Sequence, residues 1–341
     1  MRPSPTRAPA TSPRTTSGRS FVSAVSAILL VLVLAACTPA AAPSASTAPS
    51  VAPPATASPA AEFPVTLIDD EGTSVTIRAE PQRIASLSPA NTETVFALGG
   101  GDRLVGGTDF DDYPAEAAAL PDLATYQGVI MEQLVAADPD LVLALGDGGQ
   151  TPPDVTRIRE LGIPVLVLYP EDVPEVLNDI ELIGQAIGEG EAAAAMTDDM
   201  QARIDAISAA TAAVSQPRTF YELGAEPEIY GPADESFVAD MVTLAGGEPI
   251  TTGSTTAFSL PLERLVTEDP EVIVLGDANY GTKVEDVAAR PGWEVMTAVK
   301  EGAIRPVDDI IVTRPGPRLA DGLAALALAI HPDIVLPSPA P

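Results

Sequence analysis

The sequence has one cysteine, one histidine and one tryptophan among 341 residues. A single cysteine excludes an internal disulfide and any zinc site built on several thiolates. A single histidine excludes His-rich transition-metal cages. It also leaves a Ser-His-Asp triad with one candidate base, His331, in Ala329-Ile330-His331-Pro332. That position reads as the end of a helix, where the dipole favours a cation, so His331 is structural. Basic residues are scarce as well: 18 Lys and Arg stand against 48 Asp and Glu, for a net charge of −30. Repulsion disfavours nucleic acid and anionic membrane surfaces as partners. The acids keep the chain soluble, and some could complement arginines on another protein. No dinucleotide fingerprint is present, because Gly99-Gly100-Gly101 closes a helix and does not follow a strand. A phosphate-binding Gly-Lys-Ser/Thr loop is absent too. Asp109, Asp111 and Asp112 lack calcium-loop spacing and read as a turn, with calcium binding the second reading. No resident metal or cofactor is expected. Enzymatic chemistry is left only to pairs of Asp and Glu, as in a lipid-anchored hydrolase using paired carboxylates.

What is present is a repeat. Glu132-Gln133-Leu134-Val135-Ala136-Ala137-Asp138-Pro139-Asp140-Leu141-Val142-Leu143 returns as Glu263-Arg264-Leu265-Val266-Thr267-Glu268-Asp269-Pro270-Glu271-Val272-Ile273-Val274. Each copy predicts a short helix stopped at Asp-Pro, since proline cannot continue a helix and disfavours α geometry in the residue before it. Each then runs into an apolar strand of the kind buried in a parallel sheet. Two similar α/β lobes follow, each with a glutamate, Glu132 or Glu263, on the first turn of an equivalent helix. A lone acid there complements the helix dipole. A matched pair is what a two-fold symmetric partner requires.

The first 19 residues hold four arginines and no acid, and an uncharged apolar run from Phe21 to Leu34 ends in Leu34-Ala35-Ala36-Cys37. A basic start, an apolar centre and small residues before a cleavage point make an export signal. It resembles a bacterial lipoprotein signal over residues 1–36, which implies that Cys37 is the acylated first residue; an uncleaved anchor is the other reading. From Thr38 to Ala61 the chain is Thr, Pro, Ala and Ser with one Val. Such a segment (37–62) buries no core, and its composition predicts a disordered tether reaching at most about 70 Å. Residues 337–341 are a short tail of similar composition.

Between these ends, Val65 to Ile68 and Val75 to Ile77 flank a hairpin turn. Alternating strands and helices then predict a parallel sheet with helices on its faces over 63–190, and the pattern recurs over 215–336. Between the two, residues 191–214 contain no Pro or Gly, and Met196, Met200, Ile204, Ile207, Thr211 and Val214 form one apolar stripe. A helix there would be about 36 Å long and would restrict large hinge closure between the lobes. The expected fold is α/β: two Rossmann-like lobes joined by one long backbone helix.

From Arg83-Ile84-Ala85-Ser86-Leu87-Ser88-Pro89-Ala90-Asn91-Thr92-Glu93 onward the chain resembles the cobalamin and iron-siderophore substrate-binding proteins of ABC importers. The likeness continues through Thr108-Asp109-Phe110-Asp111-Asp112-Tyr113-Pro114, Gln127-Gly128, both repeated blocks, Ala245-Gly246-Gly247, Arg290-Pro291-Gly292-Trp293 and Arg314-Pro315-Gly316-Pro317-Arg318. The Asp-Tyr-Pro and Arg-Pro-Gly-Pro-Arg segments look closest to the cobalamin branch. The resemblance implies a corrinoid held between the lobes by aromatic side chains: Phe110 and Tyr126 in the first lobe, Tyr230 and Phe258 in the second. It implies that Asp309 and Arg314 face the ligand as a polar pair, while Arg318 reads as structure at a helix start. It implies that Glu132 and Glu263 dock onto arginines of a permease dimer. Leu145 stands where cobalamin-binding relatives carry Trp, and Trp293 reads as core. A ferric siderophore or haem is the alternative ligand, although such acidic ligands would want a more basic cleft. The expected protein is a monomer outside the cytoplasm, held to the membrane by its lipid alone.

Overall fold

The computed structural model describes residues 63–148 and 151–337. The signal, tether and Cys37 lie outside these residues, as does most of the tail. Strands β1 (Val65–Ile68) and β2 (Ser74–Ile77) form the antiparallel hairpin. The first lobe follows with β3 (Ile84–Ser86), α1 (Pro89–Ala97), β4 (Leu104–Thr108), β5 (Asp122–Thr125), β6 (Gly128–Val129), α2 (Met131–Ala137), β7 (Leu141–Leu145), α3 (Pro153–Glu160) and β8 (Val165–Leu168). Its sheet has the order β6-β5-β4-β3-β7-β8, parallel except for β6. The apolar runs explain the parallel pairing: Leu141 to Ala144 and all of β8 are buried, so these strands are covered on both faces.

Two antiparallel-packed helices come next, α4 (Val173–Ile187) and α5 (Gly190–Thr211). Helix α4 is not among the expected elements. It starts on Asp172, whose carboxylate accepts from the backbone N–H of Glu175 at 2.9 Å, with proline in the first turn. The expected backbone helix is α5, and its buried residues are Ala193, Thr197, Met200, Ile204, Ile207 and Thr211. It ends at Thr211, so Val214 falls beyond the stripe and is exposed.

The second lobe contains β9 (Arg218–Glu222), β10 (Ile229–Tyr230), α6 (Phe237–Leu244), β11 (Glu248–Pro249), β12 (Ser259–Leu260), α7 (Leu262–Glu268), β13 (Val272–Leu275), α8 (Val284–Ala288), α9 (Thr297–Lys300), β14 (Ile304–Pro306), α10 (Asp309–Thr313) and α11 (Leu319–Ile330). Its sheet is all parallel in the order β11-β9-β13-β14, and β10 and β12 form a separate antiparallel ribbon.

The lobes are joined by more than a strut. One apolar cluster runs from Leu143 and Leu166 through Ile180 and Ile183 of α4 and Met200 and Ile204 of α5 to Val242, Val274 and Leu323. Smaller clusters fill the outer side of each sheet. Trp293 is 3% exposed in the second of these, as its sequence context implies. His331 caps the end of α11, with Nε2 3.0 Å from the carbonyl of Gly246.

Candidate functional site

In open parallel sheets, ligands bind outside the carboxyl ends of the strands. Here those ends carry the exposed aromatic side chains. Phe110 follows β4 at 53% exposure and Tyr126 follows β5 at 79%. Leu145, the last residue of β7, and Tyr169, just past β8, are also exposed. In the second lobe, Tyr280 follows β13 at 79% exposure, and Phe258 precedes β12 at 48%. Tyr230 is half-buried in β10, paired with Ser259.

Contacts between the lobes bring their carboxyl-end loops together, and the space beside those loops is the candidate crevice. Glu93, on the helix that follows β3, meets Arg314 and Arg318 of the loop between α10 and α11. Arg314 Nη1 donates to Glu93 Oε1 at 2.5 Å and to Asp112 Oδ1 at 2.7 Å. Arg318 Nε and Nη2 donate to Glu93 Oε2 and Oε1 at 2.8 and 2.7 Å. The Arg318 guanidinium also lies 4.2 Å from the ring centre of Tyr113. The carboxyl-end loops of the two sheets therefore face each other across this cluster. The resemblance implies a ligand-facing Arg314. The structure commits its Nη1 to Glu93 and Asp112, because a carboxylate as buried as Glu93 requires cations.

On the second lobe the crevice edge is acidic. Tyr221 is fully buried and donates its hydroxyl to Asp309 Oδ1 at 2.7 Å. Burial raises the Tyr221 hydroxyl far above its usual range, with Asp309 adding to the shift. Burial also raises the Asp309 carboxyl, against the hydrogen bonds from Tyr221 and Thr313. Asn279 links the loops by donating to Asp308 Oδ1 and accepting from the Asp309 N–H, each at 3.0 Å. Glu222, at the end of β9, is fully buried and held at two points by Arg290, at 2.5 and 2.8 Å. Burial pushes its carboxyl up while Arg290 pulls it down. Arg290 in turn lies 4.6 Å from the Trp293 ring centre. Arg290, Arg314 and Arg318 on this edge are thus already paired with acids.

Asp111 is not free for a cation. Its Oδ2 accepts from Thr92 Oγ1 at 2.8 Å and from the Thr108 N–H at 3.0 Å, and its Oδ1 accepts from Thr108 Oγ1 at 2.9 Å. Glu132 and Glu263 lie on the first turns of α2 and α7, both exposed. A concavity of about 660 Å³ lies beside β2 and the residues leading into β8, with no aromatic in its lining. It is remote from the strand ends and is not the crevice.

Sequence reasoning missed Tyr280, Tyr169 and Glu93. Tyr280 was within reach of it, since it stands five residues past the end of an apolar strand. Glu93 carried no signal, since its partners lie 221 and 225 residues further on.

Two parallel-sheet α/β lobes whose strand-end loops meet have the architecture of a two-lobed binding protein, and the comparisons identify the class. Residues 84–310 match the family model described as periplasmic binding protein. A substrate-binding lipoprotein of an ABC transporter from Bacillus subtilis, YvrC, is 33% identical over 276 residues, covering 80% of this chain and 87% of that protein. A cobalamin-binding protein of Halobacterium salinarum is 32% identical over 313 residues, covering 89% of this chain and 84% of its own. Among solved structures, the periplasmic haem-binding protein RhuT of Roseiflexus matches with a TM-score of 0.64 and 25% identity, over 74% of this chain and 98% of that one. The chain belongs to the periplasmic binding protein family. It is the extracytoplasmic substrate-binding component of an ABC importer, a part that binds and delivers, which sets aside the hydrolase reading. Among the described residues no helix is long and apolar enough to cross a membrane.

Proposed function

We propose that this protein captures a corrinoid of the cobalamin type in the crevice and delivers it to a dimeric ABC permease while tethered to the membrane through acylated Cys37. The observation that carries the reading is the pairing of exposed aromatic rings with a carboxylate-rich edge whose arginines are already engaged. Phe110 and Tyr126 on one side, and Tyr230, Phe258 and Tyr280 on the other, offer flat apolar surface to a large macrocycle. Asp309 accepts hydrogen bonds, which suits the amide groups of a corrinoid. Haem and most ferric siderophores bring carboxylates or catecholates, which call for free cations. The name of the Halobacterium relative supports the corrinoid. The similarity to a haem-binding structure keeps haem as the second reading. Glu132 and Glu263 then dock the permease, one on each half.

A ligand that binds only the folded state raises the melting temperature. Melting curves with cyanocobalamin, haemin and several ferric chelates should show the largest rise with cyanocobalamin. A rise only with haemin or a chelate transfers the role to that ligand.

A further inference from the structure

We infer that Glu93 is the centre of a cross-lobe ion cluster that fixes the Phe110 side of the crevice, making Glu93, Asp112, Arg314 and Arg318 positioning residues for ligand capture. The inference rests on the reading above that Phe110 faces the ligand.

Glu93 lies within α1 at 2% exposure. A carboxylate so desolvated must be paired, and the guanidiniums that meet its two oxygens both come from the other lobe. Those same groups reach the loop that carries Phe110. Arg314 bonds Asp112, and Arg318 lies against Tyr113. On its other side the loop is fastened to its own lobe, through Asp111 to Thr92 and Thr108. Phe110 immediately precedes both fastenings, Asp111 and then Asp112-Tyr113, and its N–H donates to Thr108 Oγ1 at 3.2 Å. The second-lobe arginines thus hold the loop two and three residues past Phe110, and through Asp111 they bear on its placement.

A buried ion pair adds little net stability compared with apolar packing, but it tolerates few geometries. Its use here is orientation. The backbones also come close at this place: a Cβ built on Gly316 would stand 3.8 Å from that of Ala90. When a binding-competent arrangement is only partly populated, apparent affinity falls by the populated fraction.

The test has a ligand-free arm and a ligand arm. In Glu93→Gln without ligand, the backbone amides of residues 108–113 should exchange with solvent faster than in the wild type. Cyanocobalamin affinity should fall about tenfold if the competent arrangement drops to about a tenth. Asp112→Asn breaks only the exposed arm and should show both effects more weakly; it decides the matter if Glu93→Gln does not fold. Next, Ala90→Cys with Gly316→Cys, in a Cys37→Ser background, places two thiols at the Cβ spacing of a disulfide. In the oxidised state this cross-link should restore affinity and exchange protection to Glu93→Gln, and reductant should remove both. The inference is overturned if both variants exchange and bind like the wild type, or if the cross-link forms without restoring affinity. Failure of the wild type to bind any corrinoid would overturn the functional reading instead. The exchange arm would then decide the cluster's role by itself.

Discussion

Arg83 and Arg218, one in each lobe, grip the same helix end. Arg83 Nε donates to the carbonyls of Ala137 and Asp138 at 3.1 and 3.0 Å. Arg218 Nε donates to those of Glu268 and Asp269 at 2.9 and 3.1 Å. The backbone N–H of Arg83 reaches Asp140 Oδ1 at 3.0 Å, and that of Arg218 reaches Glu271 Oε2 at 3.1 Å. These partners occupy matching places in the repeated block. The last carbonyls of a helix have no partner within it, and both lobes satisfy them in the same way. Helices α2 and α7 are therefore held alike, and each presents its glutamate from the opposite end.

This internal symmetry sets the expectation for docking. Replacing both Glu132 and Glu263 by Gln should leave ligand affinity unchanged while stopping transport in vesicles carrying the permease. Wild-type docking should weaken with added salt, since exposed charges are screened beyond about 10 Å at 0.1 M. Normal transport by the double variant would reduce both acids to helix-start structure.

Asp138 and Asp269 end these helices in left-handed backbone, at φ 47° and 46°. An L residue is strained there and glycine is not. Asp138→Gly should raise stability by about 0.5–1 kcal/mol. Asp269→Gly should not, because its carboxylate accepts from the Thr297 N–H at 2.7 Å and from Thr297 Oγ1 at 2.9 Å. Losing those bonds costs roughly 1–2 kcal/mol. Denaturant titration of both variants checks the opposite signs.

Asp179 faces inward from α4 at 5% exposure. Burial, and then the neighbouring Asp70, push its carboxyl up to about 9. The folded protein holds a proton there that the unfolded chain releases near pH 4, so stability should fall as pH rises from about 4 to about 9, by at most about 1.4 kcal/mol per unit. Asp179→Asn should flatten that slope and be the more stable protein at pH 8. Urea unfolding at pH 5 and pH 8 reads this directly. An unchanged slope would assign the proton to another buried acid.

Much of the first lobe was legible because its strands are continuous apolar runs bounded by Gly, Pro or Asp. Strands β6, β10, β11 and β12 have two residues each, too few to show a period. Helix α4 is poorly legible in the sequence, since it contains Pro174 and Gly184, both unfavourable in a helix interior. Pro174 sits in the first turn, where its missing N–H has no cost. Gly184 is needed for packing, since a Cβ there would come within 2.3 Å of the Ala193 Cβ. Phe110 and Tyr126 were legible only through the family resemblance, since β5, the strand that Tyr126 follows, is not among the expected elements. The commitment of Arg314 to Glu93 was not legible, because it depends on how the two lobes meet.

Removing one aromatic wall at a time tests the crevice. Phe110→Ala, Tyr126→Ala or Tyr280→Ala should each weaken corrinoid binding by about 1–3 kcal/mol while leaving the melting temperature of the free protein nearly unchanged, since these rings are exposed. A triple variant that binds like the wild type would place the ligand elsewhere.

Anchoring is read by fractionation. Cys37→Ser should move the protein from the membrane to the soluble fraction, because acyl chains supply the attachment. Retention on the membrane would point to an uncleaved apolar segment.

The most direct measurement is calorimetric titration of the purified protein with cyanocobalamin, and separately with haemin. Saturable binding of one cyanocobalamin per chain, tighter than haemin, is the predicted result. Saturable binding of haemin with no heat from cyanocobalamin would contradict it.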